Sequence, residues 1–333
     1  MARVLLIDEV AGKPTMLIGD MEARAPGPGE VRYKVQAIGL NRSDLMFLEG
    51  GHYAETSFPN RVASEACGIV DAVGEGVTQF KVGDRVSSIP CVNPDYYVGG
   101  EFAISLVEYL APWPENVPAT EACAFWMQYI TAYFPFCAYS RYGHGHTALI
   151  AAAGSSAGIG GMHLARLRGM DVIATTRTRS KVQPLLEQGA SHVIVPGEEP
   201  LAERILEITN GRGVDLAYDP IAGEFTDTYT EALAMGAKIF IYGMLGGKPR
   251  VEYSLIPVSR KDATVQHYLA PQALSDPANL AESKLFLSLA QQAGKLRPVV
   301  DKVFDFEDAL AAYDYMRTGQ QFGKIVLKMP VAD

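Results

Sequence analysis

The pattern that most constrains the fold is a regular alternation of apolar and amphipathic segments that begins near residue 149. The apolar stretch TALIAA is followed by helical periodicity from about Ala157 to Arg168. DVIATT, VQPLLEQG, HVIV, LAERILEITN, VDLAYD, FTDTYTEALA and KIFIYG then continue the alternation. Short strands that alternate with helices fold into a parallel sheet with helices on both faces. The middle of the chain is therefore predicted to be an α/β domain with a doubly wound parallel sheet.

The segments before and after this region have a different pattern of apolar and turn-forming residues. Up to about residue 120, apolar stretches such as RVLLID and EVRYKVQAIGL are separated by turn-forming stretches such as APGPGE and KVGDRV, which is typical of β-rich structure. After about residue 270 the sequence predicts a helix near 276–294, a strand RPVVDKVF, a helix FEDALAAYDYMRTG and a strand GKIVLKM. Because these elements are too few for a third domain, we expect them to return to the first.

Composition argues against several classes of partner and location. The 333 residues carry a formal charge of −9 without any block of lysines and arginines, which argues against binding to nucleic acid or to an acidic membrane. The N-terminal apolar patch is too short for a signal sequence, and no stretch approaches the length of a membrane span. Four scattered cysteines without a CxxC pair indicate buried thiols rather than a disulfide framework or a clustered zinc site. We therefore expect a cytoplasmic protein.

The run AAAGSSAGIGG, residues 151–161, lies between the first strand and the first helix of the alternating region. Its glycines do not have the spacing of the dinucleotide-binding fingerprint. Small residues at a strand–loop–helix junction still allow a diphosphate to approach backbone N–H groups at the positive end of a helix. Ser155 and Ser156 can add hydroxyl donors or cap the helix there. The alternative interpretation is a tight turn that binds no ligand.

The end of the second strand of this region indicates which dinucleotide would bind. NAD-binding proteins place an acidic residue about 20 residues after the glycine loop, but the sequence here, ATTRTRSK, contains none. It offers hydroxyl groups and positive charge instead, from Thr176, Arg177, Arg179 and Lys181. Because a guanidinium group pairs with phosphate in a bidentate fork, the pattern favours NADP(H). A solvated basic turn is the alternative.

The chain resembles the medium-chain dehydrogenase/reductase superfamily, in its zinc-independent quinone oxidoreductase and enoyl reductase branch. The stretches that carry the resemblance are GPGEVRYKVQAIGLNRSDLMFLEGGHY, ASEACGIVDAVGEGVTQFKVGDRV, MQYITAYF, AAGSSAGIGGMHLARLRGMDVIATTRTRSK and FEDALAAYDYMRTGQQFGKIVLKM. The resemblance implies a GroES-like substrate domain formed by residues 1–120 and 268–333, and a Rossmann NADP-binding domain formed by residues 121–267. It also implies an active-site cleft at their junction and a homodimer.

The positions that hold the catalytic zinc in other members of the superfamily carry poor zinc ligands here. Asn41, Ser64 and Gln128 stand where those enzymes have cysteine, histidine and cysteine. Catalytic zinc needs three nitrogen, sulfur or carboxylate ligands and an open position. Only Cys91 occurs where a structural zinc lobe would need four cysteines. We therefore expect no metal.

The resemblance also assigns residues to the cofactor. The start of the helix after the glycine loop would contact the diphosphate, Gly243 and Met244 would let the cofactor pass close to the backbone, and Thr131 in YITAY would lie beside the nicotinamide. Thr131 could equally be a buried structural hydroxyl. The predicted cofactor-binding residues are Thr131, Ser155, Ser156, Ala157, Gly158, Ile159, Thr176, Arg177, Arg179, Lys181, Gly243 and Met244.

Two residues match catalytic positions of this branch. Tyr53, in GGHY, would donate a hydrogen bond or a proton to the oxyanion that develops on the substrate. Asn41 would orient the nicotinamide or the substrate. The alternatives are a packing tyrosine in a loop and a structural turn residue. The aromatic stretch 133–146, YFPFCAYSRYGHGH, either lines an acceptor pocket or forms a helix that packs its rings internally.

Without zinc there is no strong Lewis acid, so the acceptor should already be electron-poor. We therefore expect hydride transfer from NADPH to a small-molecule electron acceptor, either a quinone or an α,β-unsaturated carbonyl compound. One alternative is an enoyl-thioester reductase of acyl metabolism. Another is a non-catalytic NADPH-binding protein with a structural or regulatory role, which would keep the glycine loop and the basic turn but need no Tyr53.

Overall fold

The computed structural model describes residues 1–52, 55 and 57–330. The chain forms two compact units, Met1–Met127 together with Leu274–Asp333, and Gln128–Ala273. Tyr53, which the sequence predicts to be catalytic, lies outside the described residues. Within those ranges, no helix combines the length and the apolar character that crossing a bilayer requires.

Strands and helices are numbered along the chain. The described strands are β1 (Ala2–Val10), β2 (Lys13–Met21), β3 (Glu30–Gly39), β4 (Asn60–Arg61), β5 (Glu65–Val73), β6 (Arg85–Ser88), β7 (Phe102–Leu106), β8 (Leu110–Pro112), β9 (Thr147–Ile150), β10 (Asp171–Thr175), β11 (His192–Ile194), β12 (Val214–Asp219), β13 (Leu233–Ile241), β14 (Thr264–His267), β15 (Val300–Asp305) and β16 (Lys324–Lys328). The described α-helices are α1 (Arg42–Leu48), α2 (Ala119–Ala122), α3 (Trp126–Tyr133), α4 (Ser156–Leu167), α5 (Val182–Glu187), α6 (Leu201–Ile208), α7 (Leu255–Arg260), α8 (Ala270–Ala273), α9 (Pro277–Gln292) and α10 (Ala309–Thr318).

The first unit is built on two sheets. A seven-stranded sheet has the order β15-β16-β3-β5-β6-β8, with β7 also paired to β3, and a three-stranded sheet has the order β2-β1-β4. Strand β16 pairs antiparallel with β3 and parallel with β15, so the C-terminal strands lie in the same sheet as the N-terminal ones. The core of this unit includes the buried rings of Tyr33, Phe47, Phe306 and Tyr313. The predicted β-rich first domain is confirmed.

The second unit contains a six-stranded sheet with the order β11-β10-β9-β12-β13-β14, and every neighbouring pair in it is parallel. Strands β9 and β12 are buried along their whole length, as expected for parallel strands covered on both faces. The strand order reverses between β9 and β12, and ligands of such sheets bind beside this point, at the carboxyl ends of the strands. The predicted doubly wound parallel sheet is confirmed.

One segment predicted to be helical differs in the structure. Residues 226–232, within FTDTYTEALA, form a 3-10 helix rather than an α-helix. Thr226 Oγ1 and Tyr229 OH donate hydrogen bonds to the carboxylate of Asp219, at 2.9 and 2.8 Å, and tie this segment to the end of β12. The segment also contains three threonines, which are weak helix formers. Side-chain hydrogen bonds therefore decide its conformation.

Two glycines of α4 allow the helix to pack closely against its neighbours. A Cβ atom on Gly160 would lie 2.5 Å from the carbonyl oxygen of Gln128, and one on Gly161 would lie 2.8 Å from the ring of Tyr218. Because protein interiors are close-packed, such contacts cannot be accommodated without moving the neighbouring element. The two glycines therefore serve the contact of α4 with α3 and β12.

We expect Gly160→Ala to lower the free energy of unfolding by about 1–3 kcal/mol, because the added methyl group must separate α3 and α4. Gly197→Ala is the matched control, since a Cβ atom there meets nothing within 4 Å. Urea denaturation followed by far-UV circular dichroism measures both variants. Equal stability of the two would contradict the packing role of Gly160.

Candidate cofactor-binding and active site

The loop after β9 leads directly into α4 at the carboxyl edge of the parallel sheet. Ser155 precedes the helix: its Oγ accepts a hydrogen bond from Gly158 N at 3.1 Å, and its carbonyl oxygen accepts one from Ile159 N at 2.9 Å. The amides of Ser156 and Ala157 have no acceptor among the residues that the structure describes, as is usual in the first turn of a helix. Free N–H groups and the helix dipole at this end of a helix favour a negatively charged group.

Neighbouring backbone holds this loop in place. Ala152 N donates to Thr175 Oγ1 at 3.3 Å, and Ala153 N donates to Thr175 O at 2.9 Å, so the end of β10 supports the loop. A Cβ atom on Gly158 would lie 2.7 Å from the Cα atom of Ala153. The loop itself therefore requires glycine at position 158. The predicted diphosphate contacts are Ser156, Ala157, Gly158 and Ile159. The amides of Ser156 and Ala157 have no acceptor among the described residues, whereas those of Gly158 and Ile159 are bonded to Ser155.

The predicted 2′-phosphate site lies at the end of β10. Thr176 is buried, Arg177 and Arg179 are exposed, and Lys181 is half-buried. The Arg179 guanidinium forms an ion pair with Glu198 at 2.6 Å, whereas Arg177 has no ion pair with any described residue. Sequence reasoning missed Glu198 because it follows the next strand, β11, rather than the basic turn itself. Arg177 is therefore the arginine whose charge is available for a ligand.

Gly243 and Met244 follow β13 and lie against the loop that follows β12. A Cβ atom on Gly243 would lie 2.8 Å from the carbonyl oxygen of Pro220, and Leu245 N donates to that oxygen at 2.8 Å. The buried carboxylate of Asp219 accepts hydrogen bonds from two amides of the same loop at 2.7 and 3.1 Å. Sequence reasoning missed Asp219, although an acidic residue that ends a buried strand signals such a role.

Thr131 lies on α3, and its carbonyl oxygen accepts a hydrogen bond from Tyr268 OH. The aromatic stretch 133–146 continues α3 with a π-helical turn, Phe134–Ala138, in which the rings of Phe134 and Phe136 are fully buried. Tyr268 contacts the rings of Phe134 and Tyr139. These contacts favour internal packing over an open acceptor pocket as the role of this stretch.

Two stacked tyrosines lie at the carboxyl ends of β12 and β13. The ring centroids of Tyr218 and Tyr242 are 3.9 Å apart. Both hydroxyl groups are buried, and neither has a hydrogen-bond partner among the described residues. Burial raises the pKa of both phenols well above the usual value, so they stay protonated. Sequence reasoning did not select them, because nothing in the sequence separates them from the other tyrosines of the chain.

The predicted catalytic residue Asn41 belongs to a buried polar network in the first unit. Its Oδ1 accepts a hydrogen bond from Lys324 Nζ at 2.6 Å, and its Nδ2 donates to Glu65 Oε1 at 3.3 Å and to Gly39 O at 3.2 Å. Lys324 and Glu65 also form a buried ion pair. Both the oxygen and the nitrogen of the Asn41 side-chain amide are thus hydrogen-bonded within the first unit. Sequence reasoning missed Lys324 and Glu65, although Glu65 directly follows the quoted Ser64.

These contacts bear on whether the residues fit a zinc ion. The side-chain oxygen of Asn41 faces the ammonium group of Lys324, which would repel a metal cation. Ser64 and Gln128 are neutral, and neither side chain makes a hydrogen bond within the described part of the chain. In the same residues no three histidine, cysteine or acidic side chains are grouped so that they could hold a metal ion. The donor set therefore does not suit catalytic zinc.

Asp44 connects this network to the start of α1. Its carboxylate accepts hydrogen bonds from Asn41 N at 2.8 Å and from Tyr313 OH at 2.9 Å. Desolvation by burial raises the pKa of the Asp44 carboxyl to about 6, although both hydrogen bonds oppose the rise. The folded protein therefore holds a proton on Asp44 more tightly than the unfolded chain does.

Because the pKa of Asp44 is higher in the folded state, this group should make the protein less stable as the pH rises from about 4 through 6. The expected loss is about 3 kcal/mol of unfolding free energy. Asp44→Asn should remove this dependence, and Tyr313→Phe should move it to higher pH. Urea denaturation at a series of pH values measures the effect, and parallel curves for the wild type and Asp44→Asn would contradict it.

Comparison with known protein families agrees with both units. Residues 27–132 match the alcohol dehydrogenase GroES-like domain, and residues 157–283 match the zinc-binding dehydrogenase family. A synaptic vesicle membrane protein VAT-1 homologue of Rattus norvegicus is 30% identical over 91% of this chain and 78% of its own length. A quinone oxidoreductase of the same organism is 25% identical over 98% of this chain and 97% of its own length.

Longer proteins and solved structures are similar as well. A phenolphthiocerol/phthiocerol polyketide synthase subunit of Mycobacterium tuberculosis is 25% identical over 98% of this chain, which spans only 15% of that subunit. The crystal structure of the CurK enoyl reductase is 25% identical over 98% of this chain and 99% of its own, with a TM-score of 0.87. A mycobacterial protein complexed with NADPH is 25% identical over 98% of this chain and 100% of its own, with a TM-score of 0.88.

The predicted fold and family are confirmed. The first unit is a GroES-like domain and the second is a Rossmann-like domain. One matching family is described as zinc-binding, but the positions that would hold the metal carry asparagine, serine and glutamine here. This chain belongs to the medium-chain dehydrogenase/reductase superfamily, and it is similar to the quinone oxidoreductases and enoyl reductases of that superfamily.

Proposed function

We propose that the protein uses NADP(H) and transfers hydride to a quinone or to an α,β-unsaturated carbonyl compound. The observation that carries this proposal is the pair of open amides, Ser156 and Ala157, at the start of α4. They lie at the carboxyl edge of a parallel sheet, beside the strand that ends in the basic turn. A dinucleotide diphosphate fits such a site because the amides donate hydrogen bonds and the helix dipole favours negative charge.

The choice of NADPH over NADH rests on charge. Arg177 is exposed and has no ion pair with a described residue, so its guanidinium group can pair with a 2′-phosphate. The mycobacterial relative solved with NADPH supports the same choice. NADPH, when bound, supplies the hydride. Gly243 and Met244 would let the cofactor approach the backbone, and Thr131 would lie beside the nicotinamide.

The proposed class of electron acceptor rests on the polar groups that the chain offers. The zinc positions carry no suitable ligand set, so the carbonyl of the acceptor would be polarised by hydrogen bonds only. Conjugated acceptors suit such a site because the negative charge that develops after hydride transfer is delocalised. We propose that Tyr53 donates a hydrogen bond or proton to that charge, and that Asn41 orients the reacting groups. These two assignments rest on the matching sequence positions.

Two other functions remain candidates. Reduction of an enoyl thioester is supported by the relatives that are polyketide synthases and enoyl reductases. A basic rim for coenzyme A or a carrier protein would favour it, but the net charge of −9 gives no sign of one. A structural or regulatory NADPH-binding protein is the other candidate, and it would bind NADPH without consuming it.

We also propose that the protein forms a homodimer through the second unit. Strand β14 is an edge strand of the parallel sheet, so its outer backbone groups are unpaired in that sheet. On helix α7, which precedes β14 along the chain, Leu255 is 70% exposed and Ile256 is 63% exposed. Exposed large apolar side chains and an open sheet edge are both typical of a surface that another chain covers. A cytoplasmic location is likewise proposed, from the four free cysteines.

The proposed cofactor predicts that Arg177→Gln weakens NADPH binding about tenfold or more, because a charge-assisted phosphate contact is lost, while NADH binding stays unchanged. Arg179→Gln should have a smaller effect, since Glu198 already neutralises that guanidinium. Arg168→Gln is the matched control, because Arg168 is an exposed arginine at the opposite end of α4 from the proposed diphosphate site. Titration of protein fluorescence with each dinucleotide measures the affinities. Equal binding of NADPH and NADH by the wild type would contradict the 2′-phosphate assignment.

The proposed reaction predicts NADPH consumption with a small quinone or an enone, and less with a crotonyl thioester. Tyr53→Phe should lower kcat for the enone about 100-fold, because proton donation to the oxyanion is lost. It should affect quinone reduction less, since a quinolate can take its proton from water. Tyr315→Phe is the control, because that hydroxyl donates a hydrogen bond to the surface residue Asp301. NADPH binding without turnover of any acceptor would instead favour a regulatory role.

A further inference from the structure

The first unit contains a buried charge that the proposed reaction does not use. The side chain of Lys324 is fully enclosed, and its ammonium group forms an ion pair with the equally buried Glu65. Lysine is almost never fully buried unless its charge is paired. The nitrogen also donates to Asn41 Oδ1 at 2.6 Å. The ammonium group thus lies between a carboxylate and a side-chain amide, both of which have further contacts.

Glu65 connects this charge to the start of α3. Its Oε2 accepts a hydrogen bond from Met127 N at 2.8 Å, and Met127 is the second residue of that helix. A carboxylate at this position satisfies an open amide and is favoured by the helix dipole. Gly39 makes room for it, since a Cβ atom there would lie 2.9 Å from Glu65 Oε1. The carboxylate therefore fixes where α3 begins.

Asn41 connects the same charge to the start of α1. Its Oδ1 is held by Lys324, and its backbone N–H donates to Asp44 Oδ2 at 2.8 Å in the first turn of the helix. Asp44 N in turn donates to Asn41 O at 3.1 Å. One ammonium group is thus bonded to the carboxylate of Glu65, which binds the start of α3, and to the side chain of Asn41, whose backbone binds the start of α1.

A purely structural ion pair is the simpler explanation for these contacts. However, a buried ion pair contributes little stability compared with apolar residues of similar size, because both charges lose their hydration. The backbone ladder between β16 and β3 already joins the two strands without it. What distinguishes the Lys324–Glu65 ion pair is that it contacts residues at the starts of α1 and α3. Both helices lead to predicted site residues.

We propose that Lys324 is a positioning residue for hydride transfer, because it orients Glu65 and Asn41 and thereby fixes the starts of α1 and α3. Helix α1 precedes Tyr53, and α3 carries Thr131. The kinetic test of this proposal rests on the proposed function, because it requires that the protein reduces an acceptor with NADPH. The proposal requires that loss of the ammonium group slows the reaction more than it weakens NADPH binding, since the proposed diphosphate and 2′-phosphate contacts belong to the second unit.

The test compares four variants of the full chain. Lys324→Met removes the charge, Lys324→Arg keeps it, and Glu65→Gln with Lys324→Met removes both charges while leaving an acceptor for Met127 N. Arg32→Met is the matched control, because Arg32 and Asp71 form another ion pair between β3 and β5, at 2.8 Å, that does not contact Asn41. Urea denaturation, NADPH titration and steady-state kinetics are measured for each.

We expect Lys324→Met to lower kcat at least tenfold and to raise the Kd for NADPH by a smaller factor, and Lys324→Arg to recover part of the rate. The double variant Glu65→Gln/Lys324→Met should be more stable than Lys324→Met, but its kcat should stay low. Arg32→Met should lose stability while keeping kcat. If the double variant recovers both stability and kcat, or if Arg32→Met lowers kcat as much as Lys324→Met does, Lys324 is structural only and the proposal is wrong.

A second readout does not depend on turnover. Trp126 is the first residue of α3, and in a Trp113→Phe background it is the only tryptophan of the chain. The tryptophan bands of the near-UV circular dichroism spectrum should change with Lys324→Met and not with Arg32→Met. An unchanged spectrum would overturn the positioning role. If instead the spectrum changes as expected and the wild type reduces no acceptor, the proposed reaction has failed and the positioning of α3 has not.

Discussion

The first unit depends on the compensation of one buried charge. Removing an ammonium group from water costs several kcal/mol, so Lys324 can be enclosed only because Glu65 and Asn41 surround it. Lys324 reaches that position through the pairing of β16 with β3. The end of the chain is therefore required to complete a network whose other members lie near its beginning.

The second unit is organised by close backbone contacts rather than by charge. Gly160 and Gly161 let α4 lie directly against its neighbours, and Gly243 lets two loops meet at the carboxyl edge of the sheet. Asp219 completes that edge by accepting hydrogen bonds from two amides and two hydroxyl groups. Most of the glycine-rich run thus serves packing. What remains open for a ligand is the first turn of α4.

Much of the fold could be predicted, because hydrophobic periodicity and turn residues act locally. The parallel sheet and the family are confirmed, and the helix predicted within FTDTYTEALA is present as a 3-10 helix, which side-chain bonds to Asp219 favour. The roles of the site residues stay predictions, and Tyr53 lies outside the described residues. Glu198, Glu65 and Lys324 were missed because each acts on a residue from a different element.

The sequence by itself determined the order of strands and helices, the place of the small-residue loop between β9 and α4, and the absence of an acid after β10. These properties depend on residues that are close neighbours along the chain. Only the tertiary structure decided that Glu198 neutralises Arg179 and that Lys324 bonds Asn41 across 283 residues. Such pairs depend on sheet order and strand register, which arise from packing over the whole domain and leave no local pattern in the sequence.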